Sequence, residues 1–355
     1  MRVVVAMSGG VDSSVVAGLL ARDGHEVVGV TLQLYDHGAA TGRKGACCAG
    51  QDIHDAKRVA DRLGIPHYTI DAERRFADAV IADFADSYAR GETPVPCVRC
   101  NQTVKFADLT AMARGLGAER LATGHYVRRI DGPDGAELHR AADPARDQSW
   151  FLYATTRAQL EFCEFPLGGM PDKRAVRAMA AELGLAVADK ADSQDICFVP
   201  QGGYADIVGR LRPDALEPGE IVAADGRVLG RHDGAARFTV GQGKRLGAAS
   251  FDGAERQVVV ATDPARRRIV VGPRGTGRRE VALRDANWLI DPPTEGLRCA
   301  VKLRARDEMR PASVRALPDG RVEVVLDAPA LPAPGQACVF HAGERVLGGG
   351  TIERA

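Results

Sequence analysis

An alternation of strand and helix patterns over the first 125 residues is the feature that most constrains the fold. Val3–Met7 is a continuous apolar run, which is typical of a strand buried on both faces. Apolar residues then recur at helical spacing at Val11, Val15, Leu19 and Leu20. Further strands are predicted at Val27–Leu34, His67–Ile70 and Arg120–Thr123, with helical patterns between them. Repeated strand–helix–strand units predict an α/β domain, with a parallel sheet and helices on both of its faces.

The pattern changes beyond about residue 200. A chain of 355 residues is longer than one hydrophobic core usually serves, so two or three domains are expected. From Gly219 onward, short strands alternate with Asp-Gly and Gly-Pro turns, which is typical of all-β domains. We therefore predict an N-terminal α/β domain over residues 1–200, a small central domain over 201–273 and a C-terminal β-barrel-like domain over 274–355.

Charge and hydropathy narrow the class of protein. The net charge is zero, but acids exceed bases in residues 1–200 and bases exceed acids in residues 201–355. This asymmetry indicates either a polyanionic partner for the C-terminal half or chance. No apolar run approaches the roughly 18 residues that span a membrane, and the first strand is too short for a signal peptide. We expect a cytoplasmic protein without membrane contact, whose cysteines are thiols, ligands or catalysts rather than structural disulfides.

The segment Ser8–Ser14, SGGVDSS, lies between the first strand and the first helix. A glycine-rich loop in this position presents backbone N–H groups and the positive end of a helix dipole to an anion such as phosphate. Asp12 cannot bind phosphate directly, so it either orients the loop or holds a magnesium ion. The loop has neither the lysine-containing P-loop form nor the G-x-G-x-x-G form. The alternative is a tight turn in which a serine caps the helix.

The cysteines indicate a second site. Cys97 and Cys100 form a C-x-x-C pair with a helix expected just after it, and a thiol at a helix N-terminus has a lowered pKa. Cys197 lies far away in sequence, within DSQDICF. A C-x-x-C pair also occurs in zinc sites, although zinc would need a second pair, to which only the adjacent Cys47 and Cys48 could contribute.

The motifs together resemble those of the bacterial tRNA-specific 2-thiouridylases, a family of the ATP pyrophosphatase superfamily. The chain carries SGGVDSS, TPVPCVRCN, ATGHY, DQSWFL, DSQDICF, FTVGQ and PGQACVF before LGGG, in the order of that family and over the whole length. Two departures stand out. Val95-Pro96-Cys97 occupies the place of a common Asn-Pro-Asp, and Arg304-Ala305 that of a common Arg-Tyr.

The resemblance assigns expected roles to individual residues. Residues expected to contact ATP are Ala6, Met7, Ser8, Gly9, Gly10, Val11, Asp12, Ser13, Leu32 and Gly124. Cys100 matches the nucleophile, and Cys197 matches the cysteine that carries a persulfide. Positions expected to touch tRNA are Val95, Pro96 and Cys97, which lie against the target base, and His125, Arg146, Asp147, Gln148, Arg304, Ala305 and Gln336.

The implied reaction is ATP-dependent sulfur transfer to the wobble uridine of tRNA at its 2-position. ATP, with magnesium, converts the carbonyl oxygen into an adenylate, and sulfur then displaces AMP. A persulfide supplied by a cysteine desulfurase or a relay protein suits this step, because its terminal sulfur is nucleophilic near neutral pH. An equal alternative is a 4Fe-4S cluster ligated by Cys97, Cys100 and Cys197, in which three thiolates leave one iron open to bind sulfide.

Two rival functions are considered. One is an amidating ligase of the same superfamily, which would leave the cysteines without a role and for which no glutaminase-like segment is present. The other is a tRNA-binding protein with a degenerate nucleotide site, which would be expected to have a damaged loop, whereas this loop is intact. Arg266–Arg268, together with Arg274, Arg278 and Arg279, forms either a solvated surface or, with tRNA implied, a phosphate-binding track.

Overall fold

The computed structural model describes residues 1–35, 48–192, 196–199, 203–253 and 255–354. The chain divides into two compact units. The first comprises residues 1–80, 97–200 and 344–347, and the second residues 81–96, 201–343 and 348–355. The expected boundary at residues 200 and 201 lies outside the described ranges. No helix among the described residues is long and apolar enough to cross a membrane.

The first unit is built on a parallel sheet. Its strands are β1 (Arg2–Ala6), β2 (Glu26–Gln33), β3 (His67–Asp71), β4 (Arg120–Thr123), β5 (Val127–Gly132), β6 (Gly135–Arg140) and β7 (Cys163–Glu164). The sheet has the order β3-β2-β1-β4-β7, and every neighbouring pair in it is parallel. β5 and β6 form an antiparallel hairpin.

Helices cover this sheet. The longer ones are α1 (Val11–Arg22), α2 (Cys48–Leu63), α3 (Phe106–Gly115) and α4 (Lys173–Glu182). Shorter helical stretches are Glu73–Phe76, Ala77–Ile81, Pro96–Cys100, Asn101–Lys105, Ser149–Leu152 and Arg157–Phe162, of which Ala77–Ile81 and Asn101–Lys105 are π-helical. Val3 and Val5 of β1 share one apolar core with α1, α2 and α4, whereas α3 packs on β1 and β4. β1 is therefore buried on both faces, which explains its continuous apolar sequence.

The strand order places a ligand crevice beside β1. β2 follows β1 in sequence and pairs with one of its edges, whereas β4 pairs with the other. At such a switch point the loops that leave the carboxyl ends of adjacent strands diverge, and ligands bind between them. The loop after β1 and the loop after β4 meet this condition.

The second unit contains two β structures. Its strands are β8 (Gly219–Ala223), β9 (Val228–His232), β10 (Phe251–Asp252), β11 (Glu255–Asp263), β12 (Arg268–Pro273), β13 (Arg278–Trp288), β14 (Leu297–Lys302), β15 (Arg310–Ala316), β16 (Val322–Ala330), β17 (Ala337–Ala342) and β18 (Arg345–Ile352). Its helices are Ala82–Ala89 and Tyr204–Leu211, with short 3-10 helices at Pro213–Leu216, Ala235–Arg237 and Gly247–Ser250.

The first of these β structures is a five-stranded sheet with the order β10-β11-β12-β8-β9, packed on a small core that includes Phe238 and Leu246. The second has the order β13-β16-β15-β14-β17-β18, and pairing of β13 with β18 closes it into a barrel. The predicted fold class, a parallel-sheet domain followed by a small central domain and a C-terminal β-barrel, is confirmed.

Candidate active site

The loop after β1 is shaped to hold an anion. Gly9 has a φ of 71°, in the left-handed region that favours glycine, and a Cβ there would overlap the carbonyl oxygen of Asp52. α1 begins directly after Gly10, and the first N–H groups of a helix have no intrahelical acceptor. Such donors, together with the positive end of the helix dipole, are what a phosphate site requires.

The serines of the loop stabilise its conformation. The Ser13 hydroxyl accepts a hydrogen bond from the N–H of Ser8 at 3.0 Å, and the Ser14 hydroxyl donates to the carbonyl oxygen of Gly10 at 2.8 Å. The N-cap residue of α1 is Gly10, which makes no side-chain capping bond. The prediction of a serine that caps α1 is therefore wrong.

Gly124 brings the end of β4 against this loop. A Cβ at residue 124 would lie 2.9 Å from the nitrogen of Ser13 and 3.1 Å from the carbonyl carbon of Asp12. Only a glycine lets the two loops approach this closely. Leu32, the other residue expected near ATP, is half-buried and lies at the end of β2, next to β1.

Asp12 is held by a lysine that the sequence analysis did not single out. Both carboxylate oxygens of Asp12 accept hydrogen bonds from the Lys173 ammonium at 2.7 Å, and Oδ1 also accepts from the Tyr126 hydroxyl at 2.6 Å. Lys173 is the first residue of α4 and is buried. Because both of its oxygens accept hydrogen bonds from Lys173, Asp12 fits the role of orienting the loop.

Asp192 joins the same network from the start of the DSQDICF segment. It accepts hydrogen bonds from Lys173 at 2.9 Å and Arg146 at 2.8 Å, and Arg177 lies 3.5 Å away. Partial burial alone would raise the pKa of Asp192, but the hydrogen bonds from Lys173 and Arg146 outweigh it and lower the pKa below its usual value. Asp192 is therefore a carboxylate at neutral pH.

A second lysine fixes the other side of the loop. The Lys190 ammonium donates to the carbonyl oxygen of Gly9 at 3.0 Å, to Asp52 at 2.7 Å and to Asp55 at 2.6 Å. Burial opposes the charge of Lys190, but the two carboxylates outweigh it and raise its pKa. The loop is thus tied both to α2 and, through Asp12, to α4.

The cysteine pair lies within a helix rather than before one. A short helix begins at Pro96 and ends at Cys100, and the π-helical turn Asn101–Lys105 follows directly. Burial raises the pKa of the Cys100 thiol, and this effect outweighs the nearby Lys105 ammonium. The expectation of a lowered pKa at a helix N-terminus is therefore wrong, because Cys100 is buried and lies at the end of a helical turn.

Lys105 brings the three cysteines into one electrostatic environment. Burial would lower the pKa of Lys105, but interactions with Cys100, Cys97 and Cys197 raise it. Cys97 and Cys197 are exposed, and all three cysteines are free thiols. Although Cys197 is exposed, protein atoms around its thiol raise the pKa to about 11, mainly by desolvation. The Lys105 ammonium therefore lies near Cys100 and Cys197, whose raised pKa values keep both thiols protonated at neutral pH.

His125 lies between the thiols and the nucleotide loop. Its Nδ1 is 2.8 Å from the Thr123 hydroxyl, and its ring lies 5.9 Å from the ring of Phe106, the residue after Lys105. Burial lowers the pKa of His125 to about 3, and the Lys105 ammonium adds to this effect. His125 is consequently neutral at physiological pH and can contact RNA only as a neutral ring.

A resident metal ion would require a group of ligating side chains. Among the described residues, no group of three or more His, Cys, Asp or Glu side chains is arranged to hold a metal ion. Cys97, Cys100 and Cys197, the ligands of the alternative 4Fe-4S cluster, form no such group among these residues. Cys47 and the side chain of Cys48, which could have added ligands, lie outside what the structure describes.

Two residues expected to touch tRNA are engaged within the protein. The Asp147 side chain is only 4% exposed and accepts hydrogen bonds from Arg140 and Ser149. The Gln148 carboxamide oxygen accepts from the N–H of Tyr126 at 3.0 Å. These contacts support the loop that carries Arg146, so Asp147 and Gln148 shape this surface, whether or not they contact tRNA.

The remaining expected tRNA contacts lie in the second unit. Arg304 donates to the carbonyl oxygen of Val240 at 2.6 Å, and its neighbour Ala305 is half-buried. The Gln336 side chain donates to the carbonyl oxygen of Thr93 at 2.9 Å. Gln336 therefore holds the segment that leads into Val95 and Pro96. These roles toward tRNA stay predictions.

The arginine run has nearby acids that the sequence did not reveal. Arg266 pairs with Asp263 at 3.3 Å, Arg268 pairs with Glu220 at 3.1 Å, and Arg267 contacts Glu217. These pairs partly satisfy the three guanidinium groups. A phosphate-binding role for them would require that RNA compete with the acids.

Sequence reasoning missed Lys105, Lys173 and Lys190, although composition contains a signal for them. The chain has 47 basic residues, of which only Lys44, Lys57, Lys105, Lys173, Lys190, Lys244 and Lys302 are lysines. In so arginine-rich a chain, two of these few lysines hold the loop after β1 and a third interacts with the cysteines. A compact ammonium, unlike a planar guanidinium, can bond two carboxylates and a carbonyl at close range.

Family models match three consecutive parts of the chain. Residues 1–201 match the tRNA methyl transferase HUP domain, residues 206–273 the tRNA methyl transferase PRC-barrel domain, and residues 278–352 the aminomethyltransferase beta-barrel domain. The parallel sheet and the loop at its switch point define the first part as an α/β domain of the ATP pyrophosphatase class, and two β domains follow it.

Full-length relatives specify the family further. The tRNA-specific 2-thiouridylase MnmA of Acidiphilium cryptum is 70% identical over 99% of this chain and 100% of its own. The protein of the same name from Gluconobacter oxydans is 64% identical over 99% of each chain. The chain belongs to the family of tRNA-specific 2-thiouridylases. A solved 4-thiouridine synthetase–RNA complex with bound ATP is 16% identical over 60% of this chain and 50% of its own, with a TM-score of 0.35, which is too low to support an inference.

Proposed function

We propose that the protein forms 2-thiouridine in tRNA, using ATP to activate the 2-carbonyl of the wobble uridine and a cysteine persulfide as the sulfur source. The observation that carries this proposal is the position of Lys105. Its ammonium interacts with Cys97, Cys100 and Cys197, and it also influences His125, which directly follows Gly124 on the nucleotide loop. An activating site and a sulfur site thus adjoin within one domain.

The first step is adenylation. The 2-carbonyl oxygen of uridine attacks the α-phosphorus of ATP, the bond to the β-phosphate oxygen breaks, and pyrophosphate leaves. The loop from Ser8 to Ser13 binds the pyrophosphate part through backbone N–H groups at the start of α1. Lys173 and Lys190 hold that loop from its two sides, so its donors are oriented before the substrate arrives.

The second step transfers sulfur. The terminal sulfur of a Cys197 persulfide attacks the activated carbon, and AMP leaves with the former carbonyl oxygen. The base is then joined to Cys197 through a disulfide. The Cys100 thiolate attacks the Cys197 sulfur, which releases 2-thiouridine and leaves a Cys100–Cys197 disulfide. A thiol reductant must then reduce that disulfide.

Lys105 supports the anionic sulfur in this step. Burial raises the pKa of both the Cys100 and the Cys197 thiols, so a thiolate in this pocket needs a compensating charge. The ammonium opposes that effect at both cysteines. A persulfide is more acidic than the thiol that carries it, and we therefore favour it over a plain thiol as the nucleophile.

We favour the persulfide route over a 4Fe-4S cluster. Cys97, Cys100 and Cys197 do not belong to any metal-holding group among the described residues, and two of the three are exposed. We derive no step through a cluster. Magnesium would accompany the ATP phosphates, and Asp12 orients the loop through its bonds to Lys173.

The macromolecular partner is the anticodon loop of a tRNA with a wobble uridine. The target base must leave its stack to reach the cysteines, which fits the way proteins read single-stranded RNA loops. Val95, Pro96 and Cys97 would lie against that base. The sulfur donor is a persulfide-carrying protein, either a cysteine desulfurase or a relay, and we place the reaction in the cytoplasm, where tRNA and ATP are found.

The test is a reconstituted reaction that separates the two steps. Purified protein is mixed with ATP, magnesium, unmodified tRNA and a persulfide donor, and then pyrophosphate, AMP and 2-thiouridine are quantified. We expect tRNA-dependent pyrophosphate release and one 2-thiouridine per tRNA. Cys197→Ser should keep pyrophosphate release and lose thiolation. Thiolation by Cys197→Ser at the wild-type rate would refute the persulfide route, and release of pyrophosphate without tRNA modification by the wild type would refute the function.

A further inference from the structure

The Asp192 carboxylate lies where three functional segments meet. Its Oδ1 accepts from the Lys173 ammonium at 2.9 Å, and its Oδ2 accepts from the Arg146 guanidinium at 2.8 Å. The Asp192 side chain is 19% exposed. The two bonds use different oxygens, so Asp192 bridges the two cations rather than pairing with one of them.

Each of the two cations connects Asp192 to a different functional segment. Lys173 also bonds both oxygens of Asp12, which belongs to the loop proposed to bind ATP, and the Lys173 side chain is only 10% exposed. Arg146 belongs to the loop that is expected to touch tRNA. The carboxylate of Asp192 therefore connects, through one cation each, to the nucleotide loop and to the tRNA-contact loop.

Asp192 itself limits where Cys197 can lie. Cys197 is five positions after Asp192, and an extended chain spans at most about 3.6 Å per residue. The Cys197 Cα is thus kept within roughly 18 Å of the Asp192 Cα in any conformation of the intervening residues. Fixing Asp192 against the nucleotide loop keeps the sulfur-carrying cysteine near the place where the adenylate forms.

We propose that Asp192 is a positioning residue for sulfur transfer, which anchors the Cys197 segment to the nucleotide loop through Lys173 and to the tRNA-contact loop through Arg146. The inference rests on the proposed function. Asp192 touches neither ATP nor the target base in this scheme, and it acts by bringing the persulfide to an adenylate that is formed without its help. Its loss should consequently separate the two half-reactions.

The test compares Asp192→Asn with the wild type in both half-reactions. The amide is isosteric but has no charge, and it replaces one acceptor oxygen with a donor that would face a cation. We expect tRNA-dependent pyrophosphate release within about threefold of the wild type, whereas 2-thiouridine formation falls about 100-fold, as for a misplaced reacting group. Asp189→Asn is the matched control, because Asp189 is an exposed acid three residues earlier in the same segment.

Each outcome bears on a distinct claim. Equal loss of both half-reactions in folded Asp192→Asn protein, or wild-type thiolation by this variant, would overturn the positioning role. Failure of the wild type itself to thiolate tRNA would instead overturn the proposed function. If Asp192→Asn has a lowered melting temperature, Asp192→Glu, which keeps the charge and lengthens the side chain, is assayed in the same way. A loss of thiolation with pyrophosphate release retained supports the proposal there as well.

Discussion

Replacing Gly124 with alanine tests whether the end of β4 supports the nucleotide loop. The new Cβ would lie 2.9 Å from the nitrogen of Ser13 and 3.1 Å from the carbonyl carbon of Asp12, whereas relaxed contacts are about 3.5–4.0 Å. The loop must therefore retreat by roughly 0.5 Å. Overpacking of this kind costs about 1–3 kcal/mol. If the loop takes up the strain, ATP affinity should fall about 5- to 150-fold.

Titration calorimetry with ATP and thermal denaturation measure the two places where this strain can appear. Gly115→Ala is the matched control, because Gly115 is the last residue of α3 and a Cβ there would meet nothing within 4 Å. We expect a weakened ATP affinity for Gly124→Ala and an unchanged one for Gly115→Ala. Wild-type affinity together with a wild-type melting temperature in Gly124→Ala would refute the contact between the two loops.

Two further predictions concern the charges beside the cysteines. Lys105→Met should slow alkylation of Cys100 at neutral pH, measured by peptide mass spectrometry, because the ammonium opposes the burial that raises the pKa of Cys100, and Lys105→Arg should stay close to the wild type. Equal rates in Lys105→Met and the wild type would contradict this role. In His125→Gln, the free energy of unfolding measured by urea denaturation should fall less between pH 7 and pH 5 than it does in the wild type. Burial lowers the pKa of His125 from 6.5 to about 3, so the unfolded chain binds the proton first and stability falls below pH 6.5, by at most about 2 kcal/mol at pH 5. An identical pH dependence in the variant would show that His125 is not buried as a neutral ring.

Local sequence patterns predicted the sheet and the strand–loop–helix form of the glycine-rich segment after β1. The observed β1, β3 and β4 lie within one or two residues of the segments that predicted them. The signal is strongest for β1, because a strand buried on both faces requires a continuous apolar run. Glycines at a strand–helix junction indicate a loop in which the backbone takes a positive φ. Gly9 meets this requirement through its positive φ.

The helix around the cysteines was predicted too late in the chain. The sequence predicts a helix just after Cys100, whereas helical structure begins at Pro96 and continues to Gly115. Proline is favoured in the first turn of a helix, which agrees with a start at Pro96. This shift moves Cys100 from a helix N-terminus to a buried position inside the helical stretch, and the direction of its pKa shift reverses with it.

The ion-pair network could not have been predicted from sequence spacing. Lys173 and Asp12 are 161 residues apart, and Lys190 and Gly9 are 181 residues apart. Only the packing of α4 and the segment after it against α1 and α2 brings them together. A carboxylate in the loop could equally have faced a magnesium ion, and the sequence alone does not choose between a metal and an ammonium as its partner.

The most direct test of the central claim is the nucleoside composition of tRNA from bacterial cells that lack this protein. Digested tRNA is analysed by mass spectrometry for 2-thiouridine derivatives, in the deletion strain and in strains that carry the wild-type or the Cys197→Ser protein. We predict that the 2-thio derivatives disappear on deletion, return with the wild-type protein and do not return with Cys197→Ser. Unchanged 2-thiouridine levels in the deletion strain would contradict the proposed function.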